Sequence, residues 1–367
     1  MLATIYALLS AFDIVMANEA DDVLSQIDRM ASLGEKADKS LIDAITDSIE
    51  KNPAQVSNLL LRKINEKNLT EQQLTVYVWA LGLTKDQAAT NSIIDLCRQN
   101  KDNELIARNC LCALATIGGK QAEAFILTAL DAEPDSERRF DTLNLLVQVQ
   151  CEDAIPKTEE ILKKDPKEYY WQSIFIFGKL GDKSVPFLLE RVNNKDLNIR
   201  TNAIIVLGQW LIPPEAAKPL QDQFWKEEDT EVRRLILNSL ERTITDLGEM
   251  KNFFEQVINK EKDANLTKFA NETLDSVDRT KAELVSYSEK KSPSASSFNT
   301  QYDQLFKSAG KEGNYEMLEA FSTIQDEPKL KALRERILQR DSDEAFYDYQ
   351  NVNGIIIKNR LIDKMEK

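Results

Sequence analysis

The chain has 367 residues, with 61 acidic and 47 basic side chains, a formal net charge of −14 and no His. That charge disfavours binding to phosphate backbones, and the missing His removes the usual general base, the Ser-His-Asp and Cys-His catalytic arrangements and the commonest metal ligand. Only 11 Gly and 10 Pro are present, too few for the turns of a β-rich fold, and 42% of the residues are hydrophobic, so we expect an all-α protein with a continuous core.

The first seventeen residues, MLATIYALLSAFDIVMA, are apolar, and the chain becomes polar directly after Ala17. This pattern is typical of a secretory signal peptide at 1–17, although no Lys or Arg precedes the run and Asp13 lies inside it. We therefore expect an exported protein, periplasmic or secreted. The alternative is an additional N-terminal helix in a cytoplasmic protein. No run reaches the roughly 18 apolar residues that a membrane span requires, so we predict none.

Residues 18–70 are predicted to form three amphipathic helices, with breaks near Gly34 and at Asn52-Pro53. They lack the repeated motif of the following region. Because the terminal unit of a repeat array must cover one end of the core, atypical sequence is expected there, and we predict that this segment is an N-terminal helical cap.

A unit of 30 to 33 residues repeats through the middle of the chain. Its motif is an acid followed four residues later by Arg, as in Asp196-Leu-Asn-Ile-Arg200 and Asp229-Thr-Glu-Val-Arg233. The marker positions are Arg108, Arg139, Tyr170, Arg200 and Arg233, and the preceding acids are Glu104, Asp135, Asp165, Asp196 and Asp229. Residues four and seven positions after each marker are all apolar, which predicts one buried helix face. Repeats of this length indicate stacked helix pairs.

This pattern resembles the HEAT-like repeats, in particular the short bilin-lyase-type version with an Asp-x-x-Val-Arg opening. The resemblance covers roughly residues 71–285 and implies a right-handed α-solenoid. It also implies that the acids and Arg residues join neighbouring repeats in a polar ladder made of Glu104, Arg108, Asp135, Arg139, Asp196, Arg200, Asp229 and Arg233. Tyr170 departs from the pattern and is expected to interrupt the ladder.

Residues 286–298 contain six Ser and one Pro, and are predicted to be a flexible linker. Residues 299–367 are predicted to form a helical C-terminal region, with helices at 301–309, 315–324, 328–339 and 343–367. The third of these helices has a basic face that includes Lys331, Arg334 and Arg336, and an apolar face of Leu330, Leu333, Ile337 and Leu338. Because the apolar face needs burial and the array is acidic, we expect this tail to fold back over the repeats.

No catalytic, metal-binding or cofactor-binding residues stand out. The sequence has no Gly-rich phosphate loop, and acidic clusters such as Glu227-Glu228-Asp229 are interpreted as solvated helix ends. We therefore predict a protein that is not an enzyme, has no cofactor and does not bind nucleic acid. Cys97, Cys110 and Cys112 are interpreted as buried thiols; the alternative, in an oxidising compartment, is a bridge from Cys97 to one of the other two.

Aromatic residues indicate a surface for a protein partner. Phe140 and Trp171 stand one position after their markers, away from the apolar columns. An exposed aromatic pair on a rigid array is typical of an interaction surface, whereas the alternative is packing under a loop or against the tail. We predict a protein–protein interaction scaffold or adaptor that binds through Phe140, Trp171, Lys331, Arg334 and Arg336. The alternative is a ligand-handling or cofactor-handling protein of the bilin-lyase type.

Overall fold

The computed structural model describes residues 21–288, 326–338 and 343–365. Every regular element in these residues is a helix, and no strand occurs among them, which agrees with the all-α prediction. The predicted signal peptide, most of the predicted linker and the predicted helices at 301–309 and 315–324 lie outside the described residues. By its internal contacts, the chain divides into two compact units, Met1–Ala154 and Ile155–Lys367.

The first unit contains the three helices predicted for its N-terminal segment, followed by helix pairs. Its helices are α1 (21–33), α2 (Lys39–Lys51), α3 (Pro53–Lys63), α4 (Glu71–Leu83), α5 (Thr90–Gln99), α6 (Glu104–Ile117), α7 (Lys120–Ala132) and α8 (Ser136–Gln148). Gly34, with a φ of 58°, follows α1, and Asn52 separates α2 from α3. Helix α4 packs against α6, and α6 packs against α8, so the first helices of successive pairs form one layer.

The second unit continues the alternation and ends in two further helices. Its elements are α9 (Ala154–Lys164, which starts at the boundary), α10 (Pro166–Leu180), α11 (Val185–Leu189), α12 (Leu197–Ile205), α13 (Ala217–Phe224), α14 (Thr230–Thr243), α15 (Leu247–Lys260), α16 (Ala264–Ser288), α17 (Glu327–Leu338) and α18 (Asp343–Met365). Helices α10, α12, α14 and α16 pack in series as first helices of the repeats. Because α16 continues to Ser288, the first three residues of the predicted linker are helical.

The repeat motif produces the helices in a regular way. An Asp stands immediately before α8, α10, α12 and α14, and its carboxylate accepts hydrogen bonds from backbone N–H groups of the first turn. The two apolar columns after each marker then face the core. Buried members are Leu143, Ile174, Ile204, Leu237, Ala115, Leu146, Phe177, Leu207 and Leu240, while Cys112 is partly exposed.

Helix α12 approaches its neighbours closely through glycine. It continues past Ile205 as a π-helical stretch, Val206–Leu211, which contains Gly208. A Cβ added at Gly208 would lie 1.9 Å from Ser239 Oγ and 2.7 Å from Ser239 Cα on α14. Only glycine therefore fits at this helix contact. The stretch ends at Ile212, which has a φ of 46° and is followed by Pro213 and Pro214.

The two last helices are part of the second unit. We call α17 and α18 together the tail; they pack on each other, and α18 also packs on α16. The apolar side of α17 is buried through Leu330, Leu333, Ile337 and Leu338. On the other helix, Leu361 and Ile362 form a hydrophobic cluster with Leu284 of α16.

Candidate protein-binding surface

The acids of the repeat motif act mainly within their own helices. Asp196 Oδ1 accepts hydrogen bonds from the N–H groups of Asn198 and Ile199 at 2.9 and 3.2 Å, and Asp229 repeats this arrangement with Glu231 and Val232 at 2.9 and 3.1 Å. Asp135 caps α8 in the same way, whereas α6 is capped by Asn103, with Glu104 already inside the helix. The three Asp residues therefore fix the starts of their own helices, and these capping hydrogen bonds do not join repeats.

The joints between repeats use other acids. Arg200 donates from Nε and Nη2 to the two carboxylate oxygens of Glu227, at 2.7 and 3.1 Å, and Arg233 pairs with Glu261 in the next repeat. Both glutamates stand two residues before a capping Asp, and each also accepts from that Asp's backbone N–H. The predicted pairing partner is therefore corrected: the marker Arg reaches a Glu at the next helix start, not the motif Asp.

In the first unit, Glu133 also stands two residues before a capping Asp, but the marker Arg residues there bind other groups. Glu133 accepts from the backbone N–H of Asp135 at 3.0 Å, while Arg139 donates to the carbonyl oxygens of Leu130 and Glu133 in the same turn. Arg108 pairs with Asp141 at 2.8 Å, and Glu104 with Arg138 at 3.3 Å; all four side chains are at least 43% exposed. Such exposed pairs contribute little to stability.

The two Arg–Glu joints between repeats of the second unit are much more enclosed. The side chains of Arg200 and Glu227 are 14% and 3% exposed. Burial alone would raise the pKa of Glu227, but hydrogen bonds from Arg200, from Gln223 and from the Asp229 N–H outweigh it and lower that pKa. The pKa of Glu261 is lowered in the same manner, because backbone N–H groups and Arg233 overcome the effect of burial. Both carboxylates are therefore held ionised.

Tyr170 occupies a marker position, and a buried amide joins the repeats there. Asn202 of α12 donates through Nδ2 to the carbonyl oxygen of Tyr170 at 3.1 Å and to Ser173 Oγ at 2.8 Å. A second enclosed pair, Arg191 with Glu159 at 2.6 Å, lies in this part of the unit. The contacts between repeats therefore continue here with different chemistry.

Large apolar side chains are exposed on the first helices of the second unit. We call Trp171, Phe175 and Leu197 the aromatic face; they are 63%, 45% and 45% exposed. Trp171 and Phe175 are one helical turn apart on α10. In the repeat register, Leu197 stands one turn before the counterpart of Trp171, on the adjacent helix α12. An open cleft of about 560 Å³ begins beside Leu197, at the N-terminal ends of α12 and α14.

Trp210 supports this face from below. Its ring packs edge-on against the ring of Phe175, with ring centroids 5.0 Å apart. The ring of Tyr349, in the tail, also packs on Trp210, with ring centroids 5.4 Å apart. Trp210 itself is buried, at 5% exposure. The exposed ring of Phe175 is thus held by a buried one.

The remaining residues predicted for partner binding lie in different settings. Phe140 belongs to the first unit and is only partly exposed. Lys331 pairs with Asp182 at 2.8 Å, and Arg336 is partly exposed. Arg334 was placed on an exposed basic face, and the structure corrects this: it is 0% exposed, because it bonds to Leu211, Asn353 and Asp182 inside the unit. Its internal acceptors could not be recognised from a helical wheel.

Two kinds of feature are absent from the described residues, a metal-binding cluster and a membrane-spanning helix. No cluster of three or more His, Cys, Asp or Glu side chains suited to a metal ion is found there, and none of their helices is long and apolar enough to cross a bilayer. Cys97, Cys110, Cys112 and Cys151 are free thiols, and all except the partly exposed Cys112 are buried.

Comparison with known proteins supports the repeat assignment. A model of the HEAT-repeat family matches residues 155–241. No curated protein matches the chain. Among solved structures, the chain is similar to the complex of CpcE and CpcF of phycocyanin lyase from Nostoc sp., with 16% identity, a TM-score of 0.32, and coverage of 60% of this chain and 94% of that one.

The prediction that the chain is not an enzyme is corrected by this comparison. It depended on the absence of His and of recognisable catalytic motifs, yet the similar structure is that of a lyase. The prediction of HEAT-like repeats is confirmed, and the chain carries HEAT repeats at residues 155–241.

Proposed function

We propose that this protein is a repeat scaffold that binds another protein through its aromatic face. The observation that supports the proposal is the pair Trp171 and Phe175, exposed by 63% and 45% and one turn apart on one helix. Single exposed apolar residues are ordinary on protein surfaces. Two exposed aromatic side chains one turn apart, with an exposed Leu197 on the neighbouring helix, are the kind of residues that dominate binding energy in protein interfaces.

The helix that carries Trp171 and Phe175 is packed firmly on the core, which favours binding. On α10, Ile174 and Phe177 are 0% and 2% exposed and fix the helix against the core. Trp210 holds the ring of Phe175 from below. A preorganised aromatic surface loses little conformational entropy when a partner covers it, so more of the contact energy appears as affinity.

The test is a comparison of matched variants of the full chain in extracts of cells that make it. A tagged wild-type chain is cross-linked, and the recovered proteins are quantified against Trp171→Ala/Phe175→Ala and against Leu105→Ala. Leu105 is 48% exposed in the first unit and serves as the control. Because a hot-spot aromatic contributes about 2 kcal/mol or more, we expect affinity for the recovered protein to fall at least about 30-fold in the double variant only.

Two results would count against the proposal. Equal recovery of every protein by the wild type and the double variant would remove the aromatic face as the binding surface. A coloured or small-molecule adduct on the purified chain, without a stoichiometric protein, would instead favour the ligand-handling alternative of the bilin-lyase type.

We also propose that the protein is exported, supported by the apolar segment 1–17 and the polar sequence after Ala17. N-terminal sequencing of the protein from fractionated cells tests this. A mature chain beginning at residue 18 outside the cytoplasm is expected. An intact segment 1–17 on a cytoplasmic chain would contradict it and favour the alternative N-terminal helix.

A further inference from the structure

The tail covers the C-terminal end of one repeat helix, α12. The last carbonyl oxygens of a helix have no partners inside that helix, and they require donors from elsewhere. At the end of α12, four successive carbonyls accept hydrogen bonds from tail side chains. The donors are Gln350 to Gln209 O at 3.1 Å, Asn353 to Trp210 O at 2.8 Å together with the Tyr349 hydroxyl, Arg334 to Leu211 O at 3.1 Å, and Arg360 to Ile212 O.

Two of these donors are buried cations. Arg334 is 0% exposed and Arg360 is 7% exposed, and their charges lie at the end of a helix whose dipole is negative there. Asp182 lies 3.4 Å from Arg334, and Glu327 lies 2.7 Å from Arg360. Asp182 and Glu327 are 48% and 35% exposed, so each buried cation is paired with an acid that still contacts solvent.

Trp210 connects this joint to the aromatic face. Its carbonyl accepts from Tyr349 and Asn353, while its ring lies between the rings of Tyr349 and Phe175. A Cβ added at Gly178 of α10 would lie 2.8 Å from the Trp210 ring, so the ring is pressed against the backbone of α10. The ring of Trp210 is therefore in contact with α10 and with the tail at the same time.

We propose that docking of the tail positions the aromatic face for its partner, through Trp210. This inference rests on the function proposed above and names how that surface is controlled. The docked tail holds Trp210 under Phe175; when the tail is released, the support below Phe175 is lost and partner affinity falls. Since coupling between two binding events is reciprocal, a partner on the aromatic face also tightens the tail.

The test uses the full chain and begins with a readout that needs no partner. Hydrogen exchange is measured in Arg334→Met, which removes a tail contact without touching Trp210, and in Phe175→Ala, which alters the face without touching the tail. Asn351→Ala, an exposed residue on α18, is the control. We expect Arg334→Met to accelerate exchange about tenfold in the tail and also in α10 around Phe175, and Phe175→Ala to accelerate exchange in α18 around Tyr349.

The second readout uses the protein recovered with the wild-type chain in the cross-linking experiment. Its affinity for Arg334→Met should fall about 5-fold or more, a typical size for coupling between sites, with Asn351→Ala unchanged. If Arg334→Met does not fold, Tyr349→Phe provides the same two readouts, because it deletes only the hydroxyl and keeps the ring.

The outcomes separate this inference from the proposed function. Faster exchange confined to the tail, with α10 and partner affinity unchanged, would overturn the coupling while leaving the scaffold intact. Exchange coupled in both directions, together with a partner that ignores Trp171→Ala/Phe175→Ala, would support the Trp210 connection and reject the aromatic face as the partner site.

Discussion

Gly208→Ala tests the close packing of α12 on α14. The new Cβ would lie 1.9 Å from Ser239 Oγ, 2.0 Å from Ser239 Cβ and 2.7 Å from Ser239 Cα. Rotating the Ser239 side chain relieves only the first contact, because the other two atoms are fixed to the α14 backbone. The helices must separate, and such overpacking costs about 3 kcal/mol. Replacing a helical Gly by Ala contributes about 0.8 kcal/mol in the opposite direction, so we expect a net loss of about 2 kcal/mol.

The assay is thermal and urea unfolding of the full chain, followed by circular dichroism. For a unit of this size, a loss of about 2 kcal/mol corresponds to a Tm lower by about 4–8 °C. Gly354→Ala is the matched control, because it lies inside α18 and its added Cβ would meet no atom within 4 Å; we expect it to raise stability by about 0.5–1 kcal/mol. Ser239→Gly in the Gly208→Ala background should restore part of the loss. A Gly208→Ala protein that unfolds with the wild type would refute the reasoning.

Two further predictions concern the enclosed ion pairs. Arg200→Met and Glu227→Leu should each lower the free energy of unfolding by about 3–5 kcal/mol, since each leaves a buried charge without its partner. The double variant should lose less than the sum of the two single losses, as measured by urea unfolding. Additive losses would show that the pair is not coupled. The second prediction concerns pH. Because the pKa values of Glu227 and Glu261 are lowered from an ordinary 4.5, their contribution is complete above that pH and is lost as the pH falls through the folded-state values. The double variant Glu227→Gln/Glu261→Gln should therefore be less stable than the wild type at pH 7. Between pH 5 and 3 its free energy of unfolding should fall by less than that of the wild type. Parallel stability curves across that range would contradict this.

Much of the fold could be predicted because its signals are local. The columns four and seven residues after each marker, together with an Asp before each first helix, specify helices that start and face the core as observed. The breaks at Gly34 and at Asn52-Pro53 were recognisable for the same reason, since each depends on the backbone preferences of one or two neighbouring residues.

The partners of polar side chains were harder to predict. The resemblance implied that the motif Asp and Arg residues join neighbouring repeats, but the acid that Arg200 binds is Glu227, 27 residues further on. Its signal was present as a Glu two residues before the next capping Asp. The burial of Arg334 could not be predicted, because its acceptors, Leu211, Asn353 and Asp182, lie on other elements and its position on α17 resembles a solvated one.

The contacts of the tail also bear on how the second unit forms during synthesis. Repeats pack on their neighbours and so can fold as they emerge, yet Arg334 bonds to Leu211 across 123 residues and Arg360 to Ile212 across 148. The roughly 115 residues between Ile212 and Glu327 take roughly 6 to 23 s to translate at about 5–20 residues per second. Throughout that interval the ribosome holds a unit whose repeats are stacked but whose Trp210 is still uncovered. A premature stop codon before residue 327 would make this exposed state permanent, and chaperones and proteases would recognise it as unfinished.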